Sequence, residues 1–162
     1  MSSQRKPVIV RRFARDWSGG YAPAGPLETP DLEILDPDGK ILHFAWETIK
    51  WVCYVRDLPA AGASDPHPER LLHKRFTVRP RSGGLWLRMT FTDGDELEGL
   101  AANDCSLIRG PGLLLIPPDQ RSNTQRIFVP RSAIRALEVV SLIGAGHRRP
   151  TAPQPELFPP EE

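Results

Sequence analysis

Cysteine is nearly absent from this 162-residue sequence, which holds only Cys53 and Cys105. Two thiols are too few for a disulfide framework or a cysteine-based zinc site, and their apolar flanks make buried thiols the expectation. Long hydrophobic runs are missing too. No segment approaches the roughly 18 apolar residues of a membrane span. The opening MSSQRKPVIVRRF has too short an apolar run for a signal peptide. No membrane contact and a cytoplasmic location are therefore expected. Metal-ligand spacing is also lacking. His43, His67, His73 and His147 are scattered, and His67 and His73 flank PERLL with no carboxylate pair beside them. There is no G-x-S-x-G elbow. Ser18-Gly19-Gly20 and Gly110-Pro111-Gly112 do not stand between a strand and a helix, so they are not phosphate loops. The expectation is a protein that is not an enzyme, with no catalytic residue, metal or cofactor.

What is present is β-strand patterning. Leu85, Leu87, Met89 and Phe91 alternate with Trp86, Arg88 and Thr90, the period-2 signature of a half-buried strand. Thr92-Asp93-Gly94-Asp95 follows as a hairpin turn, and residues 97–101 return as the partner strand with Gly99 inside it. A glycine within a strand marks a bulge or a sharp bend. Residues 8–13, 32–35, 41–46, 49–55 and 134–140 are further strand candidates. Asp36-Pro37-Asp38-Gly39 is a turn, and Ile127 and Val129 form one apolar face before a turn at Pro130-Arg131-Ser132. Of the 18 prolines, nine cluster at 59–80 and from 150 onward, where they mark connectors.

Two stretches of the chain match each other. Residues 42–52 lie against 127–137 at a constant offset of 85, with Ile49 on Ile134, Lys50 on Arg135 and Phe44 on Val129. Upstream, 8–13 sits against 86–91, and Gly20-Tyr21 against Gly99-Leu100. The pattern reads as an internal duplication of strand, glycine-bearing strand, strand, strand, short turn, strand. It predicts a first repeat over 1–56, a linker over 57–84, a second repeat over 85–143 and a tail over 144–162.

This strand plan resembles the Sm/Lsm-like fold, a small, strongly bent, five-stranded barrel of the SH3-like type. Gly99 and Asn103-Asp104 fit that family's second strand and following corner. Where the family carries Arg-Gly before its last strand, this chain has Pro130-Arg131 and Ala45-Trp46, so the family's RNA-base pocket is not reproduced. The resemblance implies an all-β protein, two Sm-like or SH3-like small barrels in tandem with a disordered, Pro-rich C-terminal tail. Fold analogy alone does not give function.

Charge is balanced overall at +1 but segregated. No acid lies between Glu69 and Asp93, while Arg70, Lys74, Arg75, Arg79, Arg81 and Arg88 do. Arg75-Phe76-Thr77-Val78-Arg79 alternates and predicts an extra strand, with Phe76 and Val78 inward. Arg75, Arg79, Trp86 and Arg88 then share an outer face, with Arg131 in the closing turn. Arginine with an outward Trp suits a DNA or RNA platform, a protein contact, or a plain solvated face with Trp86 packed against the other half.

Two short motifs remain. Arg11-x-x-x-Arg15 with Asp16-x-Ser18 resembles a compressed form of the PilZ signature, which implies cyclic dinucleotide binding. Tyr21 stands where the motif's final Gly belongs. In the tail, Gln154-Pro155-Glu156-Leu157-Phe158 resembles the bacterial sliding-clamp-binding motif. That resemblance implies an adaptor in replication or repair, with Gln154 at the rim of a clamp cleft and Leu157 and Phe158 filling it.

Overall fold

In a computed structural model of the chain, residues 4–23, 29–59, 72, 74–119 and 121–144 are described. They are all-β apart from short helical turns. No helix among them is long and apolar enough to cross a membrane. The strands are β1 (Arg5–Arg12), β2 (Trp17–Pro23), β3 (Asp31–Leu35), β4 (Ile41–Ala45), β5 (Ile49–Val55), β6 (Gly84–Phe91), β7 (Glu96–Ala101), β8 (Gly112–Ile116), β9 (Thr124–Pro130) and β10 (Ile134–Ile143). All ten join one antiparallel sheet in the order β10-β6-β7-β8-β9-β5-β1-β2-β3-β4. The sheet is not closed, and β10 and β4 lie at its two ends.

The order repeats. Within each half the fifth strand pairs the first, then come the second, third and fourth, and β9–β5 joins the halves. The registers repeat as well. Val8 faces Gly20 as Leu87 faces Gly99. Leu32 faces Phe44 as Leu113 faces Val129. Arg12 faces Ile49 as Phe91 faces Ile134, and each of these pairs sits beside a register shift that leaves Lys50 and Arg135 unpaired. The offset of 85 holds for the fourth and fifth strands. In the first strand Val8 matches Leu87, so the expected alignment of 8–13 with 86–91 is one residue out. Val8, Ile9 and Val10 are all buried, because β1 is covered on both faces. A strand buried on both sides has no polar face to set its phase.

Glycine at the repeated bend has a steric cause. A Cβ on Gly20 would stand 2.6 Å from the Leu35 carbonyl oxygen, and one on Gly99 would stand 3.0 Å from the Leu115 Cβ. The third strand crosses too closely there for a side chain.

Two apolar cores result, and each borrows from the other half. Val8, Val10, Leu32, Ile34, Ile49 and Val52 enclose the first together with Phe128 of β9. Leu87, Met89, Phe91, Leu97, Leu113, Leu115 and Ile127 enclose the second together with Ile9, Trp51, Cys53 and Val55 of the first half. Trp51 meets Phe91 edge-on at 5.5 Å between centroids.

Two local expectations are corrected. Residues 75–79 form no strand. The Phe76 backbone N–H donates to the Glu98 Oε1 at 2.9 Å instead of to a ladder, and Val78 is 76% exposed. Cys105 is exposed, because it opens a short 3-10 turn capped by Asp104, whose Oδ1 accepts from the Ser106 N–H. Cys53 is buried as expected, and burial pushes its thiol up to about 12, so it stays neutral.

Candidate functional site

The predicted basic face is assembled, but its charges are largely met from within. β6 alternates as expected, with Leu85, Leu87, Met89 and Phe91 buried and Trp86 and Arg88 half-buried. Phe76 lies edge-on to Trp86 at 5.5 Å between centroids, so the indole is covered rather than open as a stacking platform. Arg88 sits 3.6 Å from Glu98 of β7 and 3.7 Å from Glu138 of β10. Arg75 is 3.7 Å from Glu98 and 3.8 Å from Glu96, and it also donates to the Leu72 carbonyl at 2.6 Å. The exposed Arg79 donates to the Leu142 carbonyl at 3.0 Å.

Glu98 organises this face. It is 1% exposed, takes the Phe76 N–H, and lies between two guanidinium groups. A buried carboxylate needs such partners. Its counterpart in the first half is Gly19, so the ion cluster is peculiar to the second half.

Arg131 does not face outward as a free cation. Its guanidinium donates to the carbonyls of Ser106 (2.8 Å), Leu107 (3.1 Å), Arg109 (3.0 Å) and Gly110 (3.0 Å), stapling the corner before β8. Trp46 does the same work in the first half. Its indole N–H donates to the Thr29 carbonyl at 2.7 Å, and Thr29 is the counterpart of Gly110.

A second constellation lies where the β1–β2 turn of one half meets the β6–β7 turn of the other. A cleft of about 490 Å³ is lined by Arg11, Arg12, Arg15, Lys50, Asp93 and Asp95, among others. Lys50 occupies the unpaired bulge position of β5, which sends its ammonium across the junction. It donates to the Asp93 Oδ2 at 2.6 Å and also to Asp95, and it lies 5.1 Å from the Phe91 ring centroid. Burial pushes the Asp93 carboxyl up, but the Lys50 ammonium and the Asp95 N–H outweigh it and hold the group below its usual range. Arg12 pairs with Asp16 and lowers that carboxyl as well. Arg15 has a φ of +68°, a left-handed conformation that its counterpart Gly94 adopts at +94°. Left-handed backbone in a residue with a side chain costs about 1–2 kcal/mol.

The sequence did not point to Lys50, Asp93 or Asp95 as a group. Asp93-Gly94-Asp95 read as turn chemistry alone, and the only hint was a lysine inside the apolar strand IKWVCYV. Arg11 and Arg15, singled out by their spacing, do line one cleft. Gln154, Leu157 and Phe158 lie outside the described residues. Among the described residues no three His, Cys, Asp or Glu side chains are grouped to hold a metal ion.

No curated protein and no solved structure matches this chain. A protein family does match, over residues 4–141, which takes in both halves and the join between them. The chain belongs to that family, described as a family of unknown function (DUF6982).

Proposed function

We propose that the protein is an adaptor, built on two fused copies of an Sm-like five-stranded unit and working by binding rather than by catalysis. The observation that carries this reading is the repeated strand order, with matching registers and a matching bulge in both halves. Such a body offers sheet edges and a mixed-charge face, which suits macromolecular contacts. In this reading the Gln154-Pro155-Glu156-Leu157-Phe158 segment is the docking peptide, and a sliding clamp of replication or repair is the partner whose cleft it fits. The test is a clamp pull-down with the full chain and with L157A/F158A. Capture by the full chain and loss in the variant are expected; no capture by the full chain overturns clamp docking.

Nucleic acid belongs to this reading only as a secondary contact. Phosphates would have to displace Glu96, Glu98 and Glu138 from Arg75 and Arg88. Oligonucleotide affinity that is unchanged in R75A/R79A/R88A removes that role.

One observation favours a second reading, a cyclic dinucleotide sensor. Arg11 and Arg15 line the same cleft, and Arg15 keeps a strained backbone where the other half uses glycine. Calorimetry with cyclic di-GMP against the wild type and R15G tests it, and no heat with the wild type ends it.

A further inference from the structure

The third strand of the second half shows an apolar side chain where the first half has a charged one. Leu113 and Leu115 of β8 are buried, while Leu114 between them is 50% exposed. Its counterpart is Glu33 of β3, which lies 3.9 Å from Arg5. An exposed leucine here is therefore no requirement of the repeated unit.

Leu114 lines a groove of about 200 Å³ together with Gly83, Leu100, Ala101, Ile116 and Arg126. That volume is below the ~300–1,000 Å³ of small-molecule pockets and suits side-chain anchors instead. Leu100 and Ala101 are each 3% exposed, so the wall is apolar. Arg126 is exposed, and its guanidinium donates to the neighbouring Gln125 carbonyl at 2.9 Å. Among the described residues no carboxylate meets it. The groove thus fits an apolar anchor with an acid beside it.

The chain itself supplies one in Glu156-Leu157-Phe158. β10 leaves the sheet close to the groove. Ile143, its last residue, faces Gly84, and the adjoining Gly83 lines the groove. Only β6 separates β10 from β7, which makes two strand spacings of about 10 Å in all. Residues 145–156 can span up to about 40 Å when extended, so reach does not limit a return.

We infer that Leu157 and Phe158 seat in this groove of their own chain, with Glu156 on Arg126, and that the docking peptide is sheltered there until a partner takes it. This deepens the adaptor reading and rests on it for what the peptide binds once released. Tethering holds the peptide at an effective concentration on the order of mM, so a weak contact is enough. The same two side chains cannot fill the groove and a partner's cleft together. Affinity for the partner is then lowered by the fraction of molecules whose peptide is free.

Amide NMR spectra of the full chain and of L157A/F158A test the contact without any partner. The signals of Ala101, Ala102 and Leu114 are expected to differ between the two at every dilution. In an L114E background, which copies Glu33 of the first half, L157A/F158A should leave Ala101 and Ala102 unmoved. R126E should reduce the difference, and R126E/E156R should restore it. Coincident spectra of the wild type and L157A/F158A at the groove overturn the inference. Differences that vanish on dilution also overturn it, because they put a second copy's tail in the groove. So do differences that persist in L114E. Should L114E fail to fold, R126E decides, and an undiminished difference there counts against the contact. With the clamp, L114E should bind about 3–10-fold more tightly than the wild type; equal affinities overturn the sheltering. Groove differences in a chain that never captures the clamp sink the clamp reading and keep this inference. Capture without groove differences does the reverse.

Discussion

β5 and β10 hold the same place in the two halves of the sheet, each with a bulge and each paired on one side with the first strand of its half. They differ in what lies on the other side. β5 has β9 there and is buried almost throughout, while among the described residues no strand pairs with β10 there, and it is exposed over most of its length. Their sequences follow their surroundings. Trp51 and Cys53 stand where the outer strand has Ala136 and Glu138. The comparison teaches that burial here is set by position in the row of strands and not by the strand's own plan.

The comparison breaks most visibly at Trp51. Its side chain is 1% exposed and packs on Phe91 across the junction. Trp51→Ala should cost about 3–5 kcal/mol by chemical denaturation, whereas Ala136→Ser should stay within about 0.5 kcal/mol. Similar costs at the two sites would mean that β10 is covered as β5 is.

Next in size is the bend. Gly20→Ala sets a Cβ against a backbone carbonyl and should cost about 1–3 kcal/mol. Gly99→Ala meets a side-chain carbon at a longer distance and should cost less. A reversed order would show that the second half bends more tightly than the first.

Lys50 and Arg135 make the third pair. Lys50→Met leaves Asp93 and Asp95 without their cation and should cost about 1–2 kcal/mol at neutral pH, since both carboxylates are partly solvated. Arg135→Met should change monomer stability by less than about 0.5 kcal/mol. Acid sharpens the contrast. The folded Asp93 carboxyl is lowered, so its stabilising share is present above the unfolded value near ~3.9 and is lost as pH falls through the folded value. Denaturation midpoints followed into acid should therefore fall less steeply in Lys50→Met than in the wild type.

The smallest effect is at the turns. Arg15→Gly relieves left-handed strain at some entropic cost and should raise stability by up to about 1 kcal/mol, while Gly94→Ala should lower it by a similar amount. Thermal midpoints of the two variants should move in opposite directions.

Most of the strand plan was legible from the sequence, since alternation and turn residues report directly on one-sided burial. Residues 49–55 coincide with β5, and the offset of 85 located the fourth and fifth strands of the second half. β1 slipped by one because VIV is apolar on both faces and carries no phase. The basic face was legible only by half. Its arginines are close in sequence, but the carboxylates that meet them stand on β7 and β10, and a charge tally along the chain does not see across strands. Arg131 read as an open cation because nothing in a local window shows four carbonyls converging on it.

The exchange of side chains between the two cores also bears on how the molecule comes apart. Phe128 completes the first core, and Trp51, Cys53 and Val55 complete the second. Neither half can melt without stripping the other of part of its interior. The two halves should therefore unfold together, in one calorimetric transition rather than two. Separating the halves between β5 and β6 would yield two fragments that are each incomplete, despite the symmetry that suggests two independent modules.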